Sequence, residues 1–370
     1  HAFGAKDFKL LRHYVALSLI LTLIISLLLT IPTVTASRLL LAWMHTPENI
    51  IAMADAYIKV IFAGILLTMA YNVLSGILRG IGDSRTPLYF LILSSVLNII
   101  LDVVLIVYTG LGTAGAAYAT IIAQGVSAVL CFFYMYRKYE ILRTRREDYY
   151  LDSAGVKNML AIGVPMALNY SITAIGTMIM QSAVNVFGSS VVAAFTAASK
   201  VSNIATQSMP TLGTAMATYC GQNLGAGKYD RIYAGMRQGL FLCFGAAATA
   251  AAICLFCGRF IVSWFVSNPS EEIFSSAMQY LTIASWFFLP LAMIFLYRNA
   301  LQGLDQGLIP MLSGVVELAC RFGVIALIPA STGFFGVCFA DPAAWVGAGI
   351  PLFITYLLWE HRMKQRRKAA

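Results

Sequence analysis

Apolar residues run along this chain in long blocks instead of alternating with polar ones. The blocks predict helices at about 15–36, 54–78, 88–108, 113–136, 158–186, 190–216, 233–257, 275–299, 311–330 and 336–358. Each is long enough to cross about 30 Å of hydrocarbon at 1.5 Å per residue. One long polar segment interrupts the series, from Arg137 to Lys157. The expected fold class is an all-α polytopic membrane protein with ten spans.

Composition agrees with the pattern. Of 370 residues 59% are apolar and 11% charged, against about 25% charged in soluble domains, which excludes a water-soluble fold. The charge excess, 25 Lys+Arg over 16 Asp+Glu, is a matter of topology. Nineteen basic residues fall on one side of the predicted spans, from Lys6, Lys9 and Arg12 through Arg79, Arg85, Arg143 and Arg231 to Arg366, Arg367 and Lys368; only Arg38 and Arg259 fall on the other. By the positive-inside rule the crowded side is cytoplasmic, and an even number of spans puts both termini there. A multi-pass protein of a bacterial-type plasma (inner) membrane follows, and no nucleic acid is needed to explain the charge.

The seven cysteines are odd in number and lie in or beside apolar runs, so no disulfide framework is expected. Cys254-x-x-Cys257 has no second pair or neighbouring His to complete a metal site. The four histidines, His1, His13, His45 and His361, lie at span ends or in loops, where an intramembrane hydrolase or metalloenzyme has no use for them. The chain reads as no enzyme. A channel needs rings of like groups, and the charges here are single.

Ionisable residues inside spans are expensive and mark functional candidates. They are Asp102, Lys200, Arg298, Glu317 and Arg321, with Lys59 and Asp341 read as residues at helix ends that snorkel outward. Asn98 and Asp102 are four apart and share a helix face, with Ser94 and Ser95 one turn back. Burial makes a charge there costly, so Asp102 suits proton exchange or Na⁺ binding.

Laid on itself at an offset of 221 to 223, the chain aligns Gly4-Ala5-Lys6 with Gly225-Ala226-Gly227, Arg38 with Arg259, Trp43 with Trp264, Tyr57 with Tyr280, Gly80 with Gly303 and Pro87 with Pro310. The first four helices therefore repeat as the last four, and helices five and six have their expected partners before His1. That implies twelve helices, ten of them present, in two bundles related by an axis along the membrane normal. The expected organisation is an amino-terminal lobe at 1–136, a cytoplasmic linker at 137–157, and a six-helix carboxy-terminal lobe with a basic tail at 158–370.

Three motifs carry a resemblance: Gly221-Gln222-Asn223-Leu224-Gly225-Ala226-Gly227-Lys228-Tyr229-Asp230-Arg231, Leu78-Arg79-Gly80-Ile81-Gly82-Asp83, and Leu97-Asn98-Ile99-Ile100-Leu101-Asp102 with Gly112-Thr113-Ala114-Gly115-Ala116-Ala117-Tyr118-Ala119-Thr120. Together they resemble the multidrug and toxic compound extrusion family without its first two helices. The resemblance implies a monomeric secondary antiporter that needs no cofactor and exports drug-like, cationic organic compounds in exchange for H⁺ or Na⁺ by alternating access, with small molecules and membrane lipids as its partners. It places a cation site at Asn98, Asp102 and Thr120, with Ser75 where the family has Asn, the family's first-helix Asp lying before His1. No other metal is implied. It also places acidic residues of sodium-coupled members at Thr173 and Leu291, which are not acidic.

The repeat sets Arg298 opposite Ser75 and Arg321 opposite Asn98, so the second lobe is basic where the first is acidic. Arg298, Glu317, Arg321 and Lys200 are its substrate-cavity candidates, and the excess positive charge keeps a related flippase of lipid-linked or phosphate-bearing substrates as the alternative. Pro165 and Pro210 are expected to bend helices five and six.

Overall fold

The computed structural model describes residues 1–44, 46–266, 270–328 and 330–369, apart from the side chains of 330 and 366–369. His45 and the side chains of Arg366, Arg367 and Lys368 therefore lie outside what is described. Among the described residues the regular structure is all helical, and the chain divides into two compact units, Ala2–Val156 and Lys157–Ala370, the second including His1.

In the first unit α1 (Phe8–Trp43) packs against α2 (Glu48–Ala63) and α3 (Ile65–Gly80), while α5 (Gly112–Lys138) packs against α2, α3 and α4 (Arg85–Val103). The second unit adds α6 (Ser153–Asn185, beginning just before the boundary), α7 (Ser189–Thr206) and α8 (Ser208–Gly225) to a set that repeats the first. There α9 (Tyr229–Ala252) and α10 (Gly258–Phe265) stand for α1, α11 (Glu271–Trp286) and α12 (Phe288–Gly303) for α2 and α3, α13 (Leu308–Leu327) for α4, and α14 (Gly333–Val337) with α15 (Ala340–Ala369) for α5. The neighbours repeat as well: α9 packs on α12, and α15 on α11, α12 and α13.

Among the described residues seven helices are long and apolar enough to cross a membrane, and two bent pairs make nine. The window of Arg85–Tyr108 is the extreme case, strongly apolar yet only 6% buried within the protein; such a surface is stable only against lipid. Helices α7 and α8, over the span expected at 190–216, fall outside that count, because α7 ends at Thr206 and α8 begins at Ser208. Pro210 explains the break, since its ring clashes with the carbonyl four residues back, at Thr206. The polar content of α7 explains the rest, because Ser199, Ser202, Asn203 and Thr206 line a cavity.

The bent pairs occupy equivalent places. α2 and α3 meet at 47° around Gly64, α11 and α12 at 53° around Phe287, 223 residues on. Gly64 lets α5 close in: a Cβ there lies 2.2 Å from Ile121 Cδ1. In the second unit Pro290 displaces the carbonyl of Trp286, the last residue of α11. Pro165, by contrast, leaves α6 continuous. The Ala161 carbonyl it deprives of an amide partner is covered by Gly307, whose added Cβ lies only 2.6 Å from it.

The Gly82 and Gly227 turns end their helices in the same way, with positive φ (94° and 67°) and a bond from the next amide back across the last turn, Asp83 N to Leu78 O at 2.9 Å and Lys228 N to Asn223 O at 2.8 Å. The polar segment at 137–157 is docked and does not hang free. Arg12 Nε lies 3.5 Å from Asp148 Oδ2, and the buried His13 hydrogen-bonds the Asp148 carbonyl at 3.1 Å while stacking on Tyr150.

Asp83 ties the α3–α4 turn to the end of α5. It accepts from the Thr86 amide (3.0 Å), the Thr86 hydroxyl (2.5 Å) and the Tyr139 hydroxyl (2.6 Å), with Lys138 Nζ 3.6 Å away. Burial pushes its carboxyl up, but these hydrogen bonds and the Lys138 charge outweigh it and hold the group well below the usual carboxylate range. A carboxyl depressed by folding stabilises above the unfolded value, about 4, and that contribution is lost only as pH falls below it toward the folded value. Asp83→Ala is expected to cost about 1–2 kcal/mol at pH 7, read as a lower thermal midpoint in detergent, and the gap from the unchanged protein should begin to close only below about pH 4.

Candidate functional site

A concentration of buried polar groups lies within the second unit. A cavity of about 470 Å³ opens between α6, α7, α11, α12, α13 and α15, within the size range of small-molecule sites. The polar seam of α7 forms one wall, and Asn169, Thr173 and Thr177 of α6 form another. Phe195, Leu291 and Trp345 supply apolar surface. Asn169 is fixed by donating to the Pro310 carbonyl at 3.0 Å, and Gly314 of α13 closes on its side chain.

Four charged side chains converge there. Arg298 Nη2 lies 3.0 Å from Glu317 Oε2, Arg321 Nη2 3.4 Å from Glu317 Oε1, and Arg321 Nε 2.9 Å from Asp341 Oδ1. Tyr280 donates its hydroxyl to Asp341 Oδ2 at 2.9 Å. Arg321 is 5% exposed as a side chain and Glu317 8%, so the pairs form where desolvation is costly. Gly176 makes the seat for the guanidinium: a Cβ there would sit 2.2 Å from Arg321 Nη1.

These contacts place the sequence candidates. Arg298, Glu317 and Arg321 line the cavity together. Lys200 does not; its side chain is exposed and its Nζ lies 5.2 Å from the centre of the Phe265 ring. Asp341, read from sequence as an end-of-helix residue, belongs to the cavity because it has Arg321 and Tyr280 to pair with. Its signal was in the repeat: Gly112-x-x-Gly115 and Gly333-x-x-Gly336 start with the same positive φ, 54° and 58°, and this register sets Asp341 opposite Thr120. Lys59, the other such residue, is held by Asp55 one turn away at 2.6 Å. Thr173 and Leu291 both line the cavity, so its carboxylates come from α13 and α15 and its guanidinium groups from α12 and α13.

In the first unit Asn98 Nδ2 lies 3.3 Å from Thr120 Oγ1, joining two of the four cation-site candidates. Asp102 follows Asn98 by one turn, just before a wider helical turn at Val104–Tyr108. Its Oδ1 is buried without a hydrogen-bond partner. Ser75 is buried in α3. Gly115 holds α5 against the wide turn, for a Cβ there would lie 2.7 Å from the Leu105 carbonyl. All the donors on offer are oxygens, which fit a hard cation or a proton.

The pattern of the MatE family matches residues 1–104 and 165–327. The chain belongs to the MatE family. This is a family of transporters, not of enzymes, and its membership makes the chain a multi-pass membrane protein. Among similar proteins, "Probable multidrug resistance protein YpnP" of Bacillus subtilis is 28% identical over 95% of this chain and 79% of its own length. "Probable multidrug resistance protein NorM" of Thermotoga maritima is 24% identical over 94% and 74%. A solved structure described as the outward-facing conformation of a multidrug resistance MATE family transporter superposes with a TM-score of 0.90 at 22% identity, covering 98% of this chain and 81% of that one, and fixes the shared fold of this MatE chain.

The network predicts its own sensitivity. Glu317→Gln removes the carboxylate that both guanidinium groups share. It is expected to cost about 3–5 kcal/mol, as when one member of a buried ion pair is removed, and to show as a large fall in the thermal midpoint of the purified protein.

Proposed function

We propose that this chain extrudes drug-like, cationic organic compounds from the bacterial cytoplasm across the inner membrane, in exchange for H⁺ or Na⁺ entering at Asp102. It works as a monomer by alternating access, with both termini cytoplasmic. The observation that carries this reading is the buried Asp102 oxygen without a partner, one turn from the Asn98–Thr120 pair. A carboxylate so placed is costly when charged and alone, and a proton or a small cation relieves that cost. Export of drugs is supported by the multidrug resistance relatives. A flippase loses its support, because the positive charges suited to a phosphate are already matched by Glu317 and Asp341.

Inverting a two-state preference from 1:99 to 99:1 takes about 5.5 kcal/mol of differential affinity, within reach of one buried carboxylate gaining or losing its counter-charge. Transport in liposomes, with H⁺ and Na⁺ gradients imposed separately, tests the reading. Gradient-driven export of an organic cation should fall to the level of empty liposomes in Asp102→Asn, while binding of the same compound in detergent persists. Undiminished export under either gradient would remove Asp102 from coupling.

A further inference from the structure

The two polar clusters occupy the same place in the two copies of the repeat. Tyr57, Ser75, Ser94 and Asn98 fall opposite Tyr280, Arg298, Glu317 and Arg321 at an offset of 223, and Thr120 falls opposite Asp341 at 221, beyond the Gly112 and Gly333 turns. The contact between the last two positions is kept although the residues change: Asn98 bonds Thr120 at 3.3 Å, and Arg321 bonds Asp341 at 2.9 Å. Where the first copy has neutral oxygen donors, the second has two carboxylates with a guanidinium lodged between them.

We infer that the Arg321 guanidinium is a resident cation, tethered in the second lobe at the position equivalent to the exchangeable cation of the first, so that this lobe takes up no ion and one cation crosses per transport cycle. The reading of Asn98 and Asp102 as the exchange site underlies the comparison. Three observations support the assignment. The guanidinium is seated on purpose-made space at Gly176 and is 5% exposed. It contacts both acids at once, Glu317 and Asp341. With Arg298 it balances their charge, two against two, so a further cation would enter a cavity that has no charge to offer it. Arginine does not release its proton in proteins, so unlike a lysine in the same place it takes no part in proton exchange.

Removing the tether should therefore open a second cation site of carboxylate and hydroxyl oxygens at Asp341 and Tyr280. Purified full-length protein in detergent is assayed for ²²Na⁺ bound at equilibrium at alkaline pH and for protons taken up on acidification. The unchanged chain is expected to bind one cation, Asp102→Asn none, Arg321→Gln two, and the two substitutions together one. Arg321→Lys, whose ammonium fills the same place, should add no Na⁺, and Asp341→Asn placed on Arg321→Gln should abolish the gain. If Arg321→Gln adds no cation, the inference fails whatever Asp102 does. If Asp102→Asn keeps its cation while Arg321→Gln still adds one, the exchange site has been misplaced and the tethered cation stands. Should Arg321→Gln purify only with Na⁺ or guanidinium present, a free ion has replaced the tether, as expected. If it purifies under no condition while Arg321→Gln/Asp341→Asn purifies, or if neither does, the side chain serves packing and the inference is overturned.

Discussion

A charge inside hydrocarbon has to bring its counter-charge with it, and the arrangement of the second lobe follows from that requirement. Arg298 and Arg321 stand on different helices and each needs a carboxylate within reach. Glu317, placed one turn from Arg321 and facing α12, serves both. Asp341 completes the balance from α15, and Tyr280 holds its other oxygen from α11. Four helices are thereby fixed to one another at a single point. The apolar contacts around it, Phe195 against the Tyr280 ring and Phe288 against Trp345, pack onto a frame that the ion pairs have set.

The first lobe meets the same requirement with much less charge. Its equivalent positions carry hydroxyl and amide groups, whose desolvation costs far less than that of an ion, and a carboxylate, Asp102, sits a turn further along. Two copies of one architecture thus hold different solutions: one pairs its buried charges within itself, and the other keeps a buried carboxylate oxygen without a partner. The bends that shape both are alike, at Gly64 and Phe287, so the difference in chemistry was written onto a common backbone.

Much of this was legible in the chain because hydrocarbon imposes a simple code. The apolar runs follow from a bilayer's thickness, and the internal repeat is visible as matched residues at a nearly constant offset. The bends were not legible, because hydropathy is continuous across Gly64 and Phe287 and registers no change of direction. The cavity wall within 190–216 was hidden for a related reason: apolar residues surround Ser199, Ser202 and Asn203, the polar residues that face the cavity. Asp341 does stand in the first turn of α15, as its position suggested; that it turns inward depends on the approach of Arg321 and Tyr280, which hydropathy does not register. Lys200 was grouped with the arginines by charge alone; a flexible ammonium takes the nearest ring, here Phe265.

Gly176 carries a consequence for how this protein varies. Every side chain larger than hydrogen reaches toward the Arg321 guanidinium, which cannot swing aside while two carboxylates hold it. A first- or second-base change in a glycine codon always installs a side chain or a stop, so nearly all single-nucleotide routes away from this position are closed. A compensating change at Arg321 would have to come first or at the same time. The lodged charge and the missing side chain are thus a single heritable unit spread over two helices.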